Sequence, residues 1–443
     1  MREGQGAFSI LCDLLDSAIA RFPDNRKGKN TVYTLREITL SAFSVFLTQS
    51  PSFLSHQRTM QSAKGNNNAR TLFAIETIPA DNQIRNVLDA VPSESLHEVF
   101  WETFALLRQK EEVEKFRSFA GQLLLCLDGT QFFRSEALSC PFCSSVEHKN
   151  GTVSHFHSAL TPVIVAPGNP RVIALAPEII KPQDGKDKQD CESQAAKRWI
   201  HRWAARYKEL GITVLGDDLF SRQPTCTQLI DNGLNFILVC KPSSHPWLSD
   251  WIAHCDAHKD LHERRKQVWN GKKHLTYITR WANHVPLKDD KDALWVNWAE
   301  LIIENEQGEQ TFHNSWVTTH VLSEENVEEL IRAGRCRWKI ENENNNTLKT
   351  KGYHLEHNFG HGKKELANFL LTLNLLAFLF HTVLDLLDLR YRLIRRTLVR
   401  RDTFFHDLRA LTRYMCFSSW TAMLLFMLQG LELEDPGGEI PPL

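Results

Sequence analysis

The spacing of apolar residues changes near residue 121. Before that point they recur at helical intervals between polar loops. In residues 93–120, Leu96, Val99, Phe100, Phe104 and Leu107 line one side of a long amphipathic stretch. The polar run at 62–68 (SAKGNNN) reads as a hinge. From Gln122 the pattern becomes short apolar runs separated by turns. Residues 122–127 (QLLLCL) suit a fully buried strand ending at Asp128-Gly129-Thr130. Residues 152–165 carry two more β segments before the turn Pro167-Gly168-Asn169-Pro170, and 172–176 another. Ala195, Ala196, Trp199, Ile200, Trp203, Ala204, Tyr207 and Leu210 recur every three or four residues, which predicts a helix over 190–210 that Gly211 stops. A strand at 212–215 ends at Gly216-Asp217-Asp218. A short helix then stops near Gly233, and 235–240 (NFILVC) is a strand.

With 122–127, 152–165 and 172–176 as the first three strand positions and 212–215 as the fourth, the order β-β-β-α-β-α-β is that of an RNase H-like fold, whose first and fourth strands lie side by side. Asp128 and Asp217 end those two strands and are therefore expected to share a site. Residues 273–320 interrupt the order with a Trp-rich alternating stretch that includes a hairpin around Glu306-Gln307-Gly308, read as a β insertion. Helices are expected over 323–333 and over 337–351, the second stopping at Gly352. Residues 366–380 are apolar enough to raise the membrane question. Asn368, Thr372 and Asn374 interrupt them, and His381 and Asp385 follow, so a buried core helix is expected. The predicted class is α/β, an RNase H-like mixed sheet flanked by helices, with a β-rich insertion and helical N- and C-terminal regions. The expected boundaries are 1–121, 122–260, 261–322, 323–388 and 389–443.

Composition changes this picture little. Of 443 residues, 42% are hydrophobic and 24% charged, the balance of an ordinary globular chain of two or three units. A net charge of −1 excludes a uniformly basic nucleic-acid coat, so DNA contact would need local patches. Two exist: Arg390, Arg392, Arg395, Arg396, Arg400, Arg401, Arg409 and Arg413 in the C-terminal region, and Arg264, Arg265, Lys266, Lys272 and Lys273 near the insertion. By itself each is also what a solvated helix face looks like. Ten dispersed cysteines and an N-terminus without a signal-peptide pattern lead to an expectation of a cytosolic, nucleoid-associated protein without membrane contact.

Two-ion phosphodiester chemistry needs carboxylates from separate elements to hold hard cations beside the scissile phosphate. Asp128 and Asp217 supply two, with Asp218 as the rival of the second. The third is Glu341, with Glu343 as its rival; Arg337 lies four residues earlier, on the same helix face. The segment RWKIENENNNTLKTKGYHLEHNFGHG resembles the catalytic-helix region of bacterial insertion-sequence D-D-E transposases, in particular the superfamily with a Y-R-E-K signature. LLCLDGTQFF, CPFC with HFH, PQDGKDKQDCESQAAKRW and VLGDDLFSRQPTCTQLI with CKPSSH are similar to the same family, so the resemblance spans about residues 80–380. It implies DNA cleavage and strand transfer, two Mg²⁺ or Mn²⁺ ions on Asp128, Asp217 and Glu341, and a phosphate contact from Arg337. The expected partners are the terminal repeats of the element and target DNA, with a homodimer in the DNA complex. The signature Tyr falls on Gly334 and the Lys on Leu348, leaving Lys349 and Lys351 as candidates for the second phosphate contact.

Two further features stand apart. Cys140-Pro-Phe-Cys143 with His155 and His157 matches a structural Zn²⁺ site, with His148 and Cys191 as alternative ligands. Trp281, Trp295, Trp298 and Trp316 of the insertion read as a small β core, with at most one ring free to stack on a base.

Overall fold

The computed structural model describes residues 6–24, 26–27, 31–182 and 191–437. Part of the PQDGKDKQDCESQAAKRW segment, 183–190, lies outside the described residues. The strands are β1 (Leu123–Cys126), β2 (Gly129–Ser135), β3 (Ser144–Glu147), β4 (Val153–Leu160), β5 (Val163–Val165), β6 (Ile173–Ala174), β7 (Glu178–Ile180), β8 (Ile212–Gly216), β9 (Asn235–Val239), β10 (His262–Trp269), β11 (His274–Pro286), β12 (Trp295–Glu304) and β13 (Gln310–Thr318).

The protein is mixed α/β. Its main sheet runs β10-β11-β12-β13-β9-β8-β1-β5-β6. Within it, β6, β5 and β1 form an antiparallel meander, and β8 and β9 lie parallel to β1 and to each other. This is the expected strand order, with the first and fourth core strands adjacent. β1 and β5 are buried on both faces, as their uninterrupted apolar sequences require.

Several elements differ from expectation. The chain does not turn away after Asp128. It continues into β2, which pairs with β4 in a second small sheet that also holds β3 and β7. The strands of the insertion join the main sheet, because β13 pairs with β9 and carries that sheet outward to β10. β10 is an edge strand and largely exposed. Its basic residues protect that edge: Arg264 and Lys266 pair with Glu328, and Arg265 with Glu263. Trp281, Trp298 and Trp316 are buried, as a β core predicts. Trp295 is 48% exposed, its ring stacked on His284.

Residues 62–68 are not a hinge but open the helix Ala63–Phe73. The Ser62 hydroxyl accepts the Gly65 N–H as its N-cap. Asn68, read as linker, is buried; its amide donates to the carbonyls of Thr412 and Met415 and accepts the Phe417 N–H. The polar side chains there make tertiary contacts, which composition alone does not reveal.

The helix Leu366–Leu387 has the length and composition of a membrane span, but 83% of its most apolar window is buried inside the fold. Every residue except Asp385 is buried, the signature of a central core helix. The N-terminal helices pack on it through Phe43 against Phe380 and Phe22 against Phe369. The C-terminal arginines are partly consumed in this packing: Arg409 donates to the carbonyls of Thr48 and Gln49, Arg392 to those of Asp385 and Leu386, and Arg390 pairs with Asp435.

Two imidazoles in this helical body are buried neutral. His381 bonds the Tyr391 hydroxyl and the Leu47 carbonyl, and His56 sits between Ser44 and Ser50. Burial pushes both pKa values down to about 3. The unfolded chain therefore binds more protons than the folded one between pH 3 and the ordinary imidazole value near 6.5. The stability contributed by these two groups is complete above that window and falls as pH drops through it, by roughly 2–3 kcal/mol per group at pH 4.5. Urea melts from pH 7.5 to 4.5 should show this slope. His381→Gln should flatten it, and an unchanged slope in that variant would remove His381 as a cause.

Candidate active site

Strand register sets the site. Cys126 of β1 pairs with Leu215 of β8, so two residues further along each strand Asp128 and Asp217 emerge at the same level. The Thr161 N–H donates to the Asp128 carbonyl at 3.0 Å, tying the turn to the end of β4. Asp217 accepts the Leu219 N–H at 2.9 Å and remains partly exposed. Its rival Asp218 is committed elsewhere, since its carboxylate accepts the Lys241 N–H at 2.7 Å and the Ser244 hydroxyl. The geometry thus favours Asp217.

Glu341 arrives from a separate element. The expected helix over 337–351 is present, but its first part, Ile340–Asn345, is wound as a π-helix before the α-helical Asn346–Thr350. Such turns are rare and cluster at functional sites. Asn345, four residues after Glu341, donates to Asp128 Oδ2 at 3.3 Å and accepts from the Thr161 hydroxyl at 3.1 Å. These bonds dock that helix face against the end of β1. Sequence reading missed Asn345. The available signal was the run Glu341-Asn342-Glu343-Asn344-Asn345-Asn346, since asparagine is a poor helix former and its repetition there implies side-chain work.

A fourth carboxylate was also missed. Glu192 begins the helix Glu192–Tyr207, and its side chain fills the space beside Gly129. A Cβ at Gly129 would stand 2.3 Å from Glu192 Oε1, so a larger residue after Asp128 would displace the Glu192 side chain. Burial and then the Glu192 charge push the Asp128 pKa up to about 7, against the Arg337 charge, with smaller raising effects from Glu341 and Asp217. Burial, then Asp217, also raises Glu192. Asp128 thus feels the charge of the other three carboxylates. The donor set is carboxylate oxygen, which suits a hard divalent cation, and positive charge is what would relieve the repulsion at Asp128.

Arg337 donates to Glu341 Oε1 at 2.9 Å, and its side chain is only 11% exposed. In this conformation it holds the glutamate rather than facing solvent. Lys349 pairs with Glu356 at 2.9 Å, while Lys351 is exposed. Leu348, at the signature Lys position, is fully buried in the core.

Of the predicted zinc ligands, Cys140, Cys143 and His157 come together, but His155 does not join them. It sits two residues away on β4, opposite Ser135 and Ser145, about 6.6 Å along the strand from His157. Its place is taken by His361. His148 is held by Ser154 and Arg134, and Cys191 is exposed at the start of the Glu192 helix. Comparison with protein-family models and with curated proteins finds no match to this chain.

Proposed function

We propose that the chain is a D-D-E transposase that cuts DNA at the ends of an insertion sequence and joins those ends to target DNA. One observation supports the reading: Asp128 and Asp217 follow paired positions on the parallel strands β1 and β8, and the Asp128 carboxyl feels the charges of Asp217 and of Glu341, which comes from a separate helix. Mg²⁺ or Mn²⁺ ions held by these three residues would polarise the phosphate and acidify the attacking water. The chain's own residues do the positioning. Asn345 orients Asp128, and Arg337 orients Glu341. In the first step water adds to phosphorus as the bond to the 3′-oxygen breaks, leaving a 3′-hydroxyl on the element end. In the second, that hydroxyl attacks a target phosphodiester, one P–O bond forming as another breaks. No covalent enzyme–DNA bond is required.

Lys351, and Lys349 when it leaves Glu356, are placed to grip the DNA backbone, and such binding weakens steeply with salt. Two DNA ends call for two copies of the chain in the complex. The test is a cleavage and strand-transfer assay on the element's own terminal DNA, with Mg²⁺ or Mn²⁺. Wild type is expected to give joined products and Glu341→Gln none. Cleavage without joining points to a nuclease, binding without either to a silent descendant, and joining by both proteins removes Glu341 from the site.

A further inference from the structure

We propose that Cys140, Cys143, His157 and His361 bind one zinc ion in a tetrahedral site that clasps the chain following the Glu341 helix to the small sheet beside Asp128. The four ligand atoms lie within 4.8 Å of one another. Five of the six separations among them match the edges of a metal tetrahedron. With Zn–S near 2.3 Å and Zn–N near 2.0–2.1 Å, tetrahedral edges come to about 3.8 Å for S···S, 3.5 Å for S···N and 3.3 Å for N···N. The observed values are 3.8 Å between the two Sγ atoms and 3.3 Å between the two Nε2 atoms. Three of the four sulfur–nitrogen distances are 3.5, 3.3 and 3.4 Å, and the fourth, Cys140 to His361, is within 4.8 Å.

The surroundings fit a metal better than a set of thiol hydrogen bonds. The His361 Nδ1 lies 3.0 Å from the Gly362 carbonyl, a bond that places the proton on Nδ1 and turns a bare Nε2 lone pair to the centre. The His157 ring is fully buried between Phe132 and Phe133, and Phe133 also packs on His361. The Cys140–Cys143 turn is closed by the Cys143 N–H on the Cys140 carbonyl, as in a zinc knuckle.

The position of the fourth ligand gives the site its consequence. His361 is 204 residues from His157 in sequence. It lies between the Asn346–Thr350 helix and the core helix Leu366–Leu387, while His157 is on β4, which is followed directly by Thr161, the partner of Asp128 and Asn345. A metal bond here fixes the two halves of the acidic site to each other. The inference stands independently of the transposase reading, because its readouts do not depend on DNA chemistry.

The experiment is elemental analysis of the full-length protein after dialysis against metal-free buffer, together with Co²⁺ substitution. We expect one zinc per chain and the intense visible absorption of tetrahedral, thiolate-bound Co²⁺. His361→Ala and Cys143→Ser should lower zinc content at least about tenfold and lower the melting temperature. His155→Ala and Cys191→Ser should retain full zinc. Wild type without zinc, a Cys140–Cys143 disulfide in its place, or full zinc in His361→Ala would each overturn the proposal. The cobalt spectrum of wild type keeps the test decisive if a ligand variant fails to fold.

Discussion

Asp128→Asn is expected to abolish strand cleavage and, in metal-free buffer at neutral pH, to make the protein more stable. The first effect follows from losing a charged oxygen ligand, which costs several kcal/mol of transition-state stabilisation, about a thousandfold or more in rate. The second follows from the raised pKa near 7. The folded state holds the Asp128 proton more tightly than the unfolded chain, whose value lies near 4. Wild type therefore loses stability as pH rises between 4 and 7, and the loss is complete above 7. Its size is on the order of 2–4 kcal/mol. Asparagine cannot ionise, and its side-chain carbonyl can still accept the Asn345 amide. Urea melts in EDTA should show the variant ahead at pH 7.5, with the gain roughly halved by pH 5. Added Mg²⁺ should stabilise wild type and not the variant. A variant that is less stable at both pH values would mark Asp128 as a structural turn residue, and one that still cuts DNA would remove it from the site.

The acidic pair was legible because its signal is local. Two short uninterrupted apolar runs, each ending in Asp, can be read as adjacent buried strands, and matching register then follows from the strand order. Glu341 was singled out by Arg337 four residues before it and by the resemblance of its segment, since helical periodicity alone does not choose it over Glu343. What sequence could not supply is contact between distant segments. His361 completes the Cys/His cluster from 204 residues beyond His157, whereas the nearby His155 matched zinc spacing better on paper. Glu192 looked like an ordinary acidic residue in the first turn of a helix, and only the space left by Gly129 shows where its side chain goes. The run at 62–68 failed for the opposite reason: glycine and asparagine suggest a linker until their buried partners are known.

Gly334→Tyr, which would restore the aromatic residue of the resembled signature, is expected to destabilise the fold by roughly 3 kcal/mol or more. Gly334 is buried on the helix Val327–Arg335, which packs over the sheet. A Cβ at this position would stand 2.8 Å from Trp316 Nε1 and 3.1 Å from Ile237 Cγ2. Trp316 is itself fully buried, and its indole N–H has no hydrogen-bond partner among the described residues. The tryptophan of β13 occupies volume that a tyrosine at position 334 would need. A double-mutant cycle tests this. Trp316→Ala alone should cost about 3–5 kcal/mol through the cavity it leaves. Combined with Gly334→Tyr it should cost less than the sum of the two by at least about 1 kcal/mol, because the new ring fills that cavity. Additive losses in urea melts would mean that the tyrosine ring points away from Trp316. Position 334 would then be open to the surface and able to serve DNA, contrary to the packing described.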